Sequence, residues 1–349
     1  MQPLKFTKKV LGNIEKCYAV CPISLRGVPG FLVATEKAGG CFFYDLEGSL
    51  VEQIWSEPGG IMSLVPLPGV DSQFLSTQEF YSPNDSANSR IVHASPRPDG
   101  WNVQTLAALP FVHRFDILST PQANYLIACT LKSDHHFKED WTHPGKVFAA
   151  RLSEPFDPAA PLEFEILLDG LTKNHGYYRG SEEGHPFALV SSDNGIFKFT
   201  PPSAQDPEWQ IEKLLDLAAS DALLVDLDGD GTKELLTLSP FHGDRLAIYH
   251  LQDGAYELQY LYPDDLEFLH AIWGGKLFGQ PLAILGHRKG ARDLFLLAYD
   301  PDQKTYVRET IDSDIGPANV TVIEHQGKYL LIAANRETNE LAMYTITQG

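Results

Sequence analysis

Short apolar runs recur along this chain, separated by polar stretches rich in Gly, Pro, Asn and Asp. Runs of this length suit strands and are too short for helices. One run is clear in every copy, at 30–34, 72–76, 125–129, 186–190, 234–238, 281–285 and 329–333. A second run follows each after a polar loop, at 41–44, 90–93, 146–149, 195–199, 246–249, 294–297 and 341–344. A third, at 101–106, 209–214 and 306–311, is more polar, as an outer strand should be. Helical periodicity is weak throughout, and 214–219 is too short for more than a turn. Seven copies at a spacing of roughly 40–50 residues predict an all-β, seven-bladed β-propeller filling 1–349 as one domain. The last copy lacks an outer strand, and 4–11 alternates apolar and polar residues in the same manner. That N-terminal strand is predicted to pair with the last blade and close the ring, which removes exposed sheet edges.

One polar loop stands apart. Asp226, Asp228 and Asp230 alternate, Gly229 and Gly231 let the backbone curl, and Glu234 follows. Alternating carboxylates aim at one centre, Thr232 offers a backbone carbonyl, and Glu234 closes the set. Hard oxygen donors in a flexible loop suit Ca2+. The first half matches an EF-hand loop, but Thr237 stands where an EF-hand needs a bidentate Glu, and apolar runs of strand length flank the loop. A calcium loop at a strand–strand turn is expected; the bland alternative is an Asp/Gly-rich turn that binds nothing. The loop resembles that of FG-GAP/VCBS repeats, the blades of integrin-like β-propellers.

A second pattern comes from the repeats. His113, His175 and His270 each lie 15 residues before the end of the clear apolar run, at Ala128, Val190 and Leu285. Radial symmetry would turn three such side chains toward the ring axis, on the face opposite the calcium loop. Converging neutral imidazoles make a site for a second divalent metal, Zn, Mn, Fe or Mg, or supply acid/base groups. The same spacing would also arise from a structural His reused between blades. Arg114, Tyr177, Tyr178 and Arg179 lie beside these histidines, and the polar loops add His242, His287, Arg288 and Arg336 as substrate contacts. The longest loop, 132–143, carries His135, His136, Lys138 and Trp141 and reads either as a substrate wall or as a solvated insertion.

Composition narrows the field. Net charge is −19, which argues against a phosphate backbone as partner. The first residues show no apolar leader, and no apolar run approaches the roughly 18–20 residues that span a bilayer. Cys17, Cys21, Cys41 and Cys129 form no CxxC pair and read as reduced core thiols in a cytoplasmic protein. No Ser/His/Asp order, phosphate loop or nucleotide fingerprint is visible.

A propeller with a VCBS-type loop and histidines entering the inner strands is loosely similar to the propeller of aldos-2-ulose dehydratase-type enzymes. That resemblance implies a metal-assisted lyase, dehydratase or isomerase acting on a keto sugar or uronate. His113, His175, His270 and Tyr178 would be its catalytic groups. The alternative is a non-catalytic, integrin-like propeller that binds a protein or glycan through its top loops.

Overall fold

The computed structural model describes residues 3–137 and 139–349. Its strands form seven four-stranded antiparallel sheets among those residues. Six sheets take four consecutive strands each. The seventh combines the last three strands with the first, and Leu4–Asn13 runs antiparallel to Glu340–Gln348 from Leu4↔Gln348 to Asn13↔Glu340. The molecule is a seven-bladed β-propeller closed as the alternation at 4–11 predicts.

The clear apolar runs become the second strand of each blade. Phe74–Gln78 and Glu234–Ser239 are buried at every position, because neighbouring blades cover both of their faces. That is why they read as continuous apolar runs rather than as alternating ones. Outer strands such as Gln210–Leu215 have no buried position. The core therefore lies between blades: Leu282, Ile284 and Leu294 of blade six pack with Leu331, Ala333 and Tyr344 of blade seven. Fully burying each Leu or Ile stabilises the fold by roughly 1.5–3 kcal/mol. Cys17, Cys21, Cys41 and Cys129 are buried and free. No helix among the described residues is long and apolar enough to cross a membrane.

The first strand of each blade lines the central channel. It starts at the face carrying the loops between second and third strands and ends at the face carrying the Asp226–Glu234 loop. In three blades the register slips near the start of this strand, between Cys17 and Ala19, Val112 and Arg114, and Leu269 and Ala271. The extra residues are Tyr18, His113 and His270. A bulge of this kind re-aims one side chain relative to the pleat.

Candidate functional site

Four residues reach the axis from equivalent positions. For Tyr18, His113, His175 and His270, the residue two further along pairs with the residue fifteen further along. His175 precedes the inner strand Gly176–Glu182 rather than sitting in a bulge. Gly176 permits this approach between blades four and five, since a Cβ there would stand 2.4 Å from the Ser220 carbonyl oxygen. The equivalence of Tyr18 was present in the sequence, 15 residues before Val33, but a search restricted to His passes over it.

The structure adds a fifth residue from a different direction. His242, in the loop between the second and third strands of blade five, reaches the same point. Its backbone is left-handed, with φ +48, a conformation costing a non-Gly residue roughly 1–3 kcal/mol. Its ring is clamped between Phe241 and Phe268, at centroid distances of 4.0 and 4.3 Å. No repeat offset marks this residue, so spacing could not assign it to the histidine layer.

His175, His242 and His270 each offer a ring nitrogen within 4.8 Å of the others. His113 is not part of that group. It stacks beside His175, with centroids 4.5 Å apart, and its Nδ1 lies 3.2 Å from the His175 carbonyl oxygen. Hydrogen bonds fix two tautomers. His270 Nδ1 donates to the Ala318 carbonyl at 2.6 Å. His175 Nδ1 faces Asp221 Oδ2 at 3.1 Å and the Ser220 carbonyl at 3.2 Å, both acceptors. Each ring thus presents an Nε2 lone pair inward, the arrangement that orients metal-binding imidazoles. The Nε2 atoms of His175 and His242 are 3.2 Å apart. Two nitrogens bound tetrahedrally to zinc at about 2.0–2.1 Å would stand about 3.3–3.4 Å apart. Burial holds His113, His242 and His270 well below the ordinary imidazole value, so these rings are neutral, the form that binds a metal. Tyr18 completes the layer: its buried hydroxyl donates to His270 Nε2 at 3.1 Å.

The layer divides the channel into two chambers. The upper one has about 70 Å³ and touches Tyr18, His113, His175, His242 and His270. At about 30 Å³ per water it has room for an ion and about two waters. Phe241 lines it, and Trp141 packs behind Phe241 with ring centroids 5.4 Å apart. The lower chamber has about 230 Å³ and opens toward the face of the Asp226–Glu234 loop, opposite to the side expected for the pocket. Arg114, Asp116, Tyr177, Arg179, Asp221 and Asn319 line it with polar groups, and His270 forms part of its inner end. Arg179 pairs with Asp116 at 3.2 Å. Burial pushes the Asp116 carboxyl up, against the pull of Arg179.

Of the other expected contacts, Arg288 lines the upper chamber, and the rest lie elsewhere. Tyr178 packs between blades four and five and donates to the Leu224 carbonyl at 3.2 Å, so it does not join the channel. Strand alternation separates it from Tyr177 and Arg179. His287 is held within its own loop, Nδ1 to the Lys289 carbonyl at 2.8 Å and Nε2 accepting from Asp293 N at 3.2 Å. Arg288 and Arg336 both bind Glu337, and Arg336 also pairs with Glu36, which ties blades one, six and seven together at the upper face. In the long loop, His135 packs against Phe111 and His136 against His143, both away from the histidine layer. Trp141 lies under the buried Lys132, whose Nζ is 4.2 Å from its ring centroid. Lys138 lies outside the described residues.

The acidic loop is compact. Asp226, Asp228, Asp230 and Glu234 bring one oxygen each within 4.8 Å of one another. Asp230 N binds Asp228 Oδ1 at 3.1 Å, and Thr232 N binds Asp230 Oδ1 at 2.6 Å. Gly229 and Gly231 take φ +80 and +95, which a side chain would oppose. Glu234 is buried, and burial, with Asp228 and Asp226 beside it, pushes its carboxyl up to about 7. Four clustered carboxylates, with Glu234 pushed up by burial and by its neighbours, are a donor set that fits a hard divalent cation such as Ca2+.

No family model matches the chain, and no curated protein matches it in sequence. Solved structures match in fold. The β-propeller domain of Cps50 (Swd1) from Myceliophteria thermophila is 12% identical with a TM-score of 0.61, covering 99% of this chain and 100% of that one. The Dos1 propeller is 8% identical with a TM-score of 0.59, over 95% and 78%. A "putative 6-phosphogluconolactonase" from Bacteroides uniformis is 15% identical with a TM-score of 0.58, over 94% and 91%. Likeness at these identities establishes the propeller and nothing about chemistry.

Proposed function

We propose that the chain is a cytoplasmic, metal-dependent carbohydrate-active enzyme, a lyase, dehydratase or isomerase, working in the central channel on a keto sugar or uronate. The observation that carries this reading is the convergence of the His175, His242 and His270 ring nitrogens, with two of the rings oriented from behind by fixed acceptors. A divalent ion bound there would polarise a carbonyl or enediolate oxygen. The chain's own part is to orient His175 and His270 from behind, to keep His242 and His270 neutral by burial, to exclude water beside Phe241, and to hold a phenol, Tyr18, as proton donor beside His270. Asp226, Asp228, Asp230, Thr232 and Glu234 would hold a structural calcium of the FG-GAP/VCBS kind in blade five.

Elemental analysis tests it. Protein purified without a tag is expected to carry calcium and about one transition metal per chain. The His175→Ala/His242→Ala/His270→Ala variant should fold and lose the transition metal alone, whereas His113→Ala should keep it. Calcium as the sole metal in the unmutated protein, together with chelator-insensitive turnover of keto sugars or uronates, would sink the metal reading.

A further inference from the structure

The lower chamber raises the question of what it was shaped to hold. It is larger than the cavity around the histidines, about 230 against 70 Å³, and it reaches His270 from the opposite side. Arg114 stands at its inner end, following the bulged His113. Its Nη1 donates to the Met62 carbonyl at 2.5 Å, and its guanidinium lies 5.7 Å from the Tyr18 ring centroid. Among the described residues no carboxylate pairs with Arg114. A half-buried guanidinium carries five donors in a planar fork. Leaving most of them without a protein acceptor in an acidic protein is a costly arrangement unless a ligand completes it. The other charges on the wall are accounted for: Arg179 neutralises Asp116, and Asp221 accepts from His175 and Ser220. Tyr177 adds a hydroxyl that is buried near Asp116 and lacks a well-formed hydrogen bond. Asn319 donates to the Tyr18 carbonyl and lines the same wall.

We propose that this chamber binds an acidic sugar carrying one carboxylate, which enters from the face of the Asp226–Glu234 loop and sets that carboxylate on Arg114. Its hydroxyls meet Asp116, Tyr177 and Asn319, and its carboxylate-bearing end lies beside the histidine layer at His270. Bidentate geometry between guanidinium and carboxylate fixes the orientation. Asp116 and Asp221 on the same walls disfavour a phosphate dianion. The proposal rests on the channel being the substrate site, and it names the substrate class and the side of entry.

Isothermal titration with sodium glucuronate, glucose and glucose 6-phosphate tests it. The protein is kept in calcium and titrated both zinc-free and zinc-loaded. Glucuronate is expected to bind about tenfold or more tightly than glucose and more tightly than glucose 6-phosphate, a difference that one charge-assisted bidentate contact supplies. Arg114→Gln should bring glucuronate to near parity with glucose. Arg114→Lys keeps the charge but loses the bidentate fork, so it should restore only part of the preference for glucuronate and leave glucose binding as the common reference. Normal zinc uptake without preference for glucuronate, or with preference for glucose 6-phosphate, overturns this proposal and leaves the metal reading standing. Preference for glucuronate in protein that binds no zinc supports this proposal and overturns the metal reading instead.

Discussion

Tyr18 shows how one residue can report on the occupancy of a site. Its hydroxyl satisfies His270 Nε2, a buried acceptor. Tyr18→Phe leaves that nitrogen without a partner, and an unsatisfied buried acceptor costs about 1–3 kcal/mol. If Nε2 is a ligand, zinc restores its partner, so the variant should be destabilised without zinc and largely recovered with it. Chemical denaturation of both proteins with and without zinc measures this, and equal losses in the two conditions would remove His270 Nε2 from the ligand set. His93 makes a related point away from the axis. Its Nε2 donates to Gln73 Oε1 at 2.7 Å, while its buried Nδ1 has no partner, so a second proton there would be an unmatched buried charge.

At the scale of the element, the turn between Asp221–Val225 and Glu234–Ser239 is the part whose stability should depend on solution composition. A cation that binds the folded loop and not the unfolded chain stabilises by about 2.7 kcal/mol at a hundred times its Kd. Calcium is therefore expected to raise the melting temperature of the unmutated protein and to leave Asp228→Ala unmoved. A melting temperature insensitive to calcium in both proteins would count against the loop as a binding site. Much of this level was legible in the sequence. Burial on both faces writes each second strand as an apolar run, and alternating Asp with Gly writes the loop. Side-chain direction was less legible. Alternation along Gly176–Glu182 sends Tyr177 and Arg179 one way and Tyr178 the other, yet adjacency in sequence groups all three. The bulges at His113 and His270 break alternation locally, and only pairing reveals them. His242 was read as a loop contact, because its place in the layer depends on how one loop folds over the channel.

The molecule as a whole carries an acid sensitivity. His93, His113, His242, His270 and His287 all have imidazole values lowered from 6.5, with burial as the first cause. The unfolded chain therefore takes up protons before the folded one does, and stability present above 6.5 is lost as pH falls. Glu234, raised to about 7, acts in the opposite sense, favouring the fold toward low pH, and bound calcium would cancel that contribution by keeping it ionised. Thermal melts in calcium are expected to show a lower melting temperature at pH 5.5 than at pH 7.5, and a flat profile would contradict the neutral state of these rings. The closure of the ring has a temporal meaning as well. Leu4–Asn13 leaves the ribosome before its partner Glu340–Gln348, which emerges more than 300 residues later. At roughly 5–20 residues per second the first strand waits roughly 15–70 seconds for its mate. During that wait it is a bare edge, open to any other strand. Lys5, Lys8 and Lys9 place three like charges along it, which discourages copies of the nascent segment from pairing with one another. When the partner arrives, Lys8 changes office: it binds Asp312 and Glu340, each at 2.8 Å, so a residue suited to guarding an unfinished chain helps lock the finished one.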